Sequence, residues 1–150
     1  MATTGSERGL TLRSPGRFCA TAQRLVALHK LHGDTDDRTE RSAVARAFIE
    51  AEAYRIYTLQ TVTKVMAGGS IGAESSVNKI FWSEMDVRMH ETALALLGAR
   101  GELDDGSPSA IDHGAWMKGF EFALAGPIYA GTNEIQKNIV AERVLGLPRK

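Results

Sequence analysis

The sequence predicts an all-α fold, an up-and-down helical bundle, on three observations. Apolar residues recur every three or four positions through long stretches, the period of an amphipathic helix. No strand-rich region interrupts that pattern. Glycine, proline and aspartate gather in short segments between the stretches, so successive helices have tight connections and pack antiparallel.

Residues 1–16 are expected to be a loose N-terminal segment holding the possible start of a first helix, and residues 17–150 the bundle itself. Ser14-Pro15-Gly16 either interrupts a helix begun at Ser6 or opens a new one with Pro15 in its first turn. The first long helix is predicted from about Arg17 to His32, with Phe18, Ala22, Leu25, Val26 and Leu28 on its apolar face. Gly33 stops it, and Asp34-Thr35-Asp36-Asp37 supplies the next N-cap. That acidic loop lacks the later glycine and bidentate glutamate of a calcium loop.

The second helix is predicted from about Asp37 to Ala67. Its stripe is Val44, Phe48, Ile49, Ala53, Ile56, Leu59, Val62 and Met66, with Tyr54 and Tyr57 flanking it. Gly68-Gly69-Ser70 ends it. The third runs from about Ala73 to Leu97, with Val77, Phe81, Met85, Met89, Ala93 and Leu96 as its stripe and Trp82 at the edge. Gly98 closes it, and residues 99–112 read as a loop. A short helix or irregular segment around His113–Ala125 follows, with Trp116, Phe120 and Phe122 on one side.

The last quarter begins at the breaker Gly126-Pro127. Gly131 gives backbone freedom, Thr132 or Asn133 takes the N-cap, and Glu134 puts negative charge in the first turn. Ile135, Ile139, Val140 and Val144 form a stripe before Leu145-Gly146-Leu147-Pro148 stops the helix.

Composition narrows the function classes. The chain has 150 residues, 18 basic and 18 acidic, so its net charge is zero, and no lysine-rich block suggests nucleic acid. The lone cysteine, Cys19, excludes an internal disulfide and fits a reducing compartment; it reads as a buried apolar thiol. No apolar run approaches the ~18 residues of a membrane span. Met1–Gly5 lacks the apolar core of a signal peptide, so the expected location is the cytoplasm. His29 and His32 sit at a helix end, where capping is their usual role. His90 and Glu91 are adjacent and face apart, and no metal site is expected.

Tyr129-Ala130-Gly131-Thr132-Asn133-Glu134-Ile135-Gln136, followed after one helix by Leu145-Gly146-Leu147-Pro148-Arg149, resembles the C-terminal signature of the flavin-dependent acyl-CoA dehydrogenases in order and spacing. The resemblance covers only that family's C-terminal helical domain. The chain thus looks like that domain alone, whether a fragment, a truncated reading frame or a separate small subunit.

The resemblance implies FAD as cofactor, an acyl-CoA as substrate, and α,β-dehydrogenation as reaction. A carboxylate takes the α-proton while a hydride leaves the β-carbon for the flavin. It implies that Gly131, Thr132 and Glu134 bind the cofactor and that Tyr129 and Ala130 line the acyl pocket. Thr132 and Glu134 also suit plain helix capping, and Tyr129 suits a core. Many members place the catalytic glutamate directly before Gly-Thr, but that position here is Ala130, which accepts no proton. Others place it in a Glu-Arg pair at the start of the domain, which Ser6-Glu7-Arg8-Gly9 resembles, so Glu7 is the expected base. The alternative is a catalytically silent assembly module or partner subunit, since some members form mixed oligomers in which one subunit type supplies the base.

Two further departures stand out. The Arg-x-x-Phe-Gly motif is replaced by Gly33-Asp34-Thr35-Asp36, and the Gly-Gly-x-Gly turn is reduced to Leu97-Gly98-Ala99-Arg100-Gly101. Both weaken the usual flavin contacts from a second subunit. The implied partners are the missing N-terminal and β domains, or a partner dehydrogenase subunit, in a homo- or hetero-oligomer.

Overall fold

A computed structural model describes residues 13–148 of the chain. Pro15 occupies the first turn of α1 (Pro15–His32), where its missing N–H would have been unpaired anyway. Gly33 ends the helix by donating its N–H to His29 O at 2.9 Å. Asp37 then caps α2 (Arg38–Met66), its carboxylate accepting from Thr39 N at 2.6 Å and Glu40 N at 3.3 Å. Those two donors hold the Asp37 carboxyl below the usual carboxylate range. After a turn with Gly68 at φ +84°, α3 runs over Ser75–Leu97.

The expected loop after α3 is partly ordered. It holds 3-10 turns at Gly98–Glu102 and Ile111–Gly114, the second with Asp112 and His113 in left-handed geometry (φ 50° and 55°). Then come α4 (Ala115–Leu124) and α5 (Asn133–Ile139), which widens into a π turn at Val140–Val144. No strand occurs among the described residues.

Side-chain pairs fix the helix directions. Cys19 meets Glu52 while His29 meets Glu40, so α1 and α2 are antiparallel. Arg88 meets Glu50 and Lys64 meets Glu74, so α3 turns back along α2. Trp116 packs on His90, and Gly126 lies against Ser83, so α4 descends α3. The result is the expected up-and-down bundle.

The core contains Phe18, Ala22, Leu25 and Leu28 from α1 and Met85, Met89, Ala93 and Leu96 from α3, as their spacing predicts. The stripe predicted for α2 is a correction. Of its residues Val44 is buried, but Phe48, Ile49, Ile56, Leu59, Val62 and Met66 are exposed. The buried face instead carries Val44, Ala47, Ala51, Tyr54 and Thr58. Small side chains let α2 approach α1 and α3 closely, and the bulky aliphatics point away. Trp82 and Tyr54, expected at stripe edges, are each 1% exposed and fill the centre. Of the last helix's stripe, Ile135 and Val144 are exposed and Ile139 and Val140 are half-buried.

Leu25 is 0% exposed and Leu59 is 52% exposed. Urea unfolding of Leu25→Ala is expected to lose about 2–5 kcal/mol, and of Leu59→Ala less than about 1 kcal/mol. Equal losses would contradict this assignment of the α2 faces.

Candidate functional site

The turn between α4 and α5 is built from two left-handed residues in succession. Ala130 has φ +55° and Gly131 φ +85°. The φ of Gly131 favours glycine, and a Cβ there would fall 2.8 Å from Gln136 Nε2, displacing the amide that holds the turn. Ala130 carries its Cβ in that region at a cost of roughly 1–2 kcal/mol. Such a conformation persists only where its surroundings over-determine it. Gln136 supplies part of that restraint, its Nε2 donating to Ala130 O at 2.9 Å.

Thr132 caps α5, its Oγ1 accepting from Ile135 N at 3.4 Å. Because that oxygen serves as acceptor there, its hydroxyl proton is left to donate, and the Glu134 carboxylate receives it. Glu134 is exposed in the first turn. Its own backbone N–H, and then the Thr132 hydroxyl, hold its carboxyl below the usual range.

Tyr129 brings an aromatic wall to one side of the turn. Its ring centroid is 6.0 Å from that of Trp82, which in turn stacks on Phe18 at 6.2 Å. The Arg13 guanidinium lies over both rings, 5.0 Å from Tyr129 and 5.4 Å from Trp82. Tyr54 fixes Arg13 by two hydrogen bonds to its backbone: the hydroxyl donates to Arg13 O and accepts from Arg13 N, each at 2.9 Å.

Beneath the turn, Asn133 joins α5 to α3. Its N–H donates to Pro127 O at 2.9 Å. Its Oδ1 accepts from Lys79 Nζ at 2.7 Å and Ser83 Oγ at 3.2 Å, and its Nδ2 donates to Glu84 Oε1 at 3.3 Å. Lys79 is 0% exposed, and burial pushes its ammonium pKa down while Glu134 and Glu84 pull it back up.

A second polar cluster lies further along α3. The Arg17 Nη2 donates to Asp86 Oδ2 at 2.8 Å, and His90 Nδ1 sits 2.8 Å from Asp86 O. Among the described residues, Asp86 Oδ1 has no hydrogen-bond partner. Burial pushes the Asp86 carboxyl above the usual range, with Arg17, His90 and Arg13 opposing.

The structure thus gathers Tyr129, Ala130, Gly131, Thr132 and Glu134 into one turn, while Glu7 lies outside the described residues. Cys19 is a correction. It is half-buried, and its Sγ is 3.6 Å from Glu52 Oε1. Burial, then Glu52, raises its pKa, so it is a half-buried thiol packed against the core with an acidic neighbour. Arg13, Trp82, Lys79 and Asn133 were not legible as site residues. They converge from separate helices, and no spacing along the chain records that.

The model of the acyl-CoA dehydrogenase C-terminal domain matches residues 16–145. Acyl-CoA dehydrogenase IpdE1 of Mycolicibacterium smegmatis is 34% identical over 152 residues, covering 100% of this chain and 36% of the relative. IpdE1 of Mycobacterium tuberculosis is likewise 34% identical, with 38% of it covered. The chain therefore spans little more than a third of the curated relatives it matches. Among solved structures, the Tcur3481-Tcur3483 steroid ACAD superposes with a TM-score of 0.80 at 25% identity, over 91% of this chain and 35% of that one. The ChsE4-ChsE5 complex from Mycobacterium tuberculosis shares the fold, with a TM-score of 0.81 at 23% identity over 99% of this chain and 40% of that one.

The Asp86 cluster gives a prediction independent of the turn. A folded pKa above the unfolded one stabilises the fold at low pH, and that stabilisation is lost as pH rises through the folded pKa. NMR titration of Asp86 should find it above the ordinary carboxylate range, and Arg17→Gln should move it higher still. A fall on that substitution would refute the assigned cause.

Proposed function

The chain belongs to the acyl-CoA dehydrogenase family through its C-terminal domain, and from that premise we propose that it supplies this domain to the FAD-dependent α,β-dehydrogenation of an acyl-CoA thioester. The observation that carries the reading is the turn at 130–132. Its two left-handed residues set Thr132 and Glu134 on a partly open edge, beside the Tyr129 and Trp82 rings.

That edge fits a flavin nucleotide. Gly131 presents backbone with no side chain, and the Thr132 hydroxyl, whose proton meets the Glu134 carboxylate in the free chain, stands beside it. Glu134 stands on the exposed side of α5, suited to the hydroxyls of the adenosine part. Tyr129 and the Ala130 methyl form the wall met by the acyl chain, and the packed aromatic face behind them excludes water. The chemistry that FAD supplies when bound is acceptance of the hydride from the β-carbon. The α-proton goes to a carboxylate. Ala130 has none to offer, so this role is assigned to Glu7, and residues 17–150 are assigned to the domain that holds the cofactor.

A second reading is favoured by one observation, the methyl of Ala130 where many family members carry the base. In it the chain is a silent partner, completing a site whose carboxylate belongs to another subunit. The two-component names of the Tcur3481-Tcur3483 and ChsE4-ChsE5 structures are compatible with such an assembly. So is the apolar outer face of α2, with Ile49, Ile56, Leu59 and Met66 exposed.

Two experiments separate and test these readings. Co-expressed with a chain carrying the missing N-terminal and β domains, the protein should co-purify with bound flavin. Glu7→Gln in that complex should then lower kcat by about 10²- to 10⁴-fold while leaving the flavin in place. Unchanged turnover would leave the silent reading. In the same complex, Ile56→Asp with Leu59→Asp should abolish co-purification while the free chain keeps its helical circular dichroism. Retained assembly would remove this face from the interface.

A further inference from the structure

Lys79 takes no part in the reading above, yet it lies directly under the turn on which that reading depends. Its side chain is 0% exposed. Burying an ammonium costs several kcal/mol unless hydrogen bonds and opposite charge offset it. A methionine of similar volume would fill the same space without that cost, so packing alone gives no reason for a charge here. The hydrogen bond that Lys79 makes among the described residues runs to Asn133 Oδ1, at 2.7 Å. Ser83 contributes less to the same oxygen, because its single hydroxyl proton is divided between Asn133 Oδ1 at 3.2 Å and Ile80 O at 3.1 Å.

Asn133 directly follows Thr132, and its N–H closes the loop onto Pro127 O at 2.9 Å. Fixing the Asn133 side chain therefore fixes the exit of the turn. Gln136 fixes its middle through Ala130 O. Between these two anchors Ala130 is held at φ +55°, which alanine adopts at a cost. A loosened anchor lets Ala130 relax, and the edge bearing Gly131 and Thr132 turns away.

We propose that Lys79 is a positioning residue: acting through Asn133, its buried ammonium holds Ala130 and Gly131 in the left-handed path that offers Gly131 and Thr132 to the cofactor. This rests on the reading of that turn as a flavin contact, so the test is read first on the turn itself and then on the flavin.

In the chain by itself, Lys79→Met should shift the Ala130 Cα and Cβ resonances away from left-handed values. It should also speed amide exchange at Asn133 by about tenfold or more, with the amides of α1 to α4 unchanged. Asn133→Ala, which keeps the ammonium, should loosen the turn in the same way, and the double variant should add nothing further. If Lys79→Met does not fold, Asn133→Ala alone carries the test. Turn signals that stay as in the unsubstituted chain, or losses that add in the double variant, overturn the proposal. In the complex with its partner domains, either variant should release FAD about tenfold faster. A loosened turn with unchanged flavin release overturns the cofactor reading, and with it the role given to Lys79, while leaving the Lys79–Asn133 anchor standing.

Discussion

A buried helix that carries polar side chains needs partners for them, and α3 imposes that demand on the whole bundle, with Asn78 Nδ2 and Asp86 Oδ1 left unmet among the described residues. It packs against every other α-helix. Ser76, Asn78, Lys79, Ser83, Asp86 and His90 all lie on it and are all buried. In a medium of low dielectric an unpaired polar group costs more than a good apolar contact returns. The neighbouring helices are therefore held in register by what α3 needs from them. Arg17 on α1 answers Asp86, Asn133 on α5 answers Lys79, and Trp116 on α4 covers His90.

The candidate site follows from this demand. α5 has only seven residues, too short to be stable by itself. It stays in place because α3 holds its first residue from below and Gln136 closes the turn from within. The same tie brings Tyr129 onto Trp82 and thus builds the aromatic wall. Polar satisfaction of the core and the shape of the turn's edge share one cause. That cause explains how a non-glycine residue at position 130 tolerates a left-handed backbone.

Much of this was legible in the sequence, for identifiable reasons. Helix ends were marked by residues with local mechanisms: Pro15 at a first turn, Asp37 as a cap, Gly33 and Gly98 as stops. The face of α1 and the apolar part of the α3 face were legible from their spaced hydrophobes, although Val77, expected in the α3 stripe, is exposed and polar residues share the buried face. The α2 face was not. Its larger hydrophobes point outward, and the core takes Ala47 and Ala51, so a rule that follows bulk selects the wrong side. Lys79 was invisible for the opposite reason, since a lysine in a helix reads as solvated until an acceptor such as Asn133, far along the chain, is known to meet it. The turn residues were legible as a motif; Arg13 and Trp82, which complete its wall, were not, since the wall exists only once α1, α3 and the turn converge.

The choice of small residues for the inside of α2 and large ones for the outside has a physical logic. Three helices sharing one core must approach closely where α2 crosses the other two, and alanine permits that spacing. Had Phe48, Ile56 and Leu59 faced inward, Ala47 and Ala51 could not have met α1 and α3, and Tyr54 could not have reached Arg13. The aliphatic side chains so displaced, among them Ile49, Ile56, Leu59, Val62 and Met66, are exposed along one helix. The constraint that closes the inner face of the bundle thus also turns the large aliphatic side chains of α2 outward.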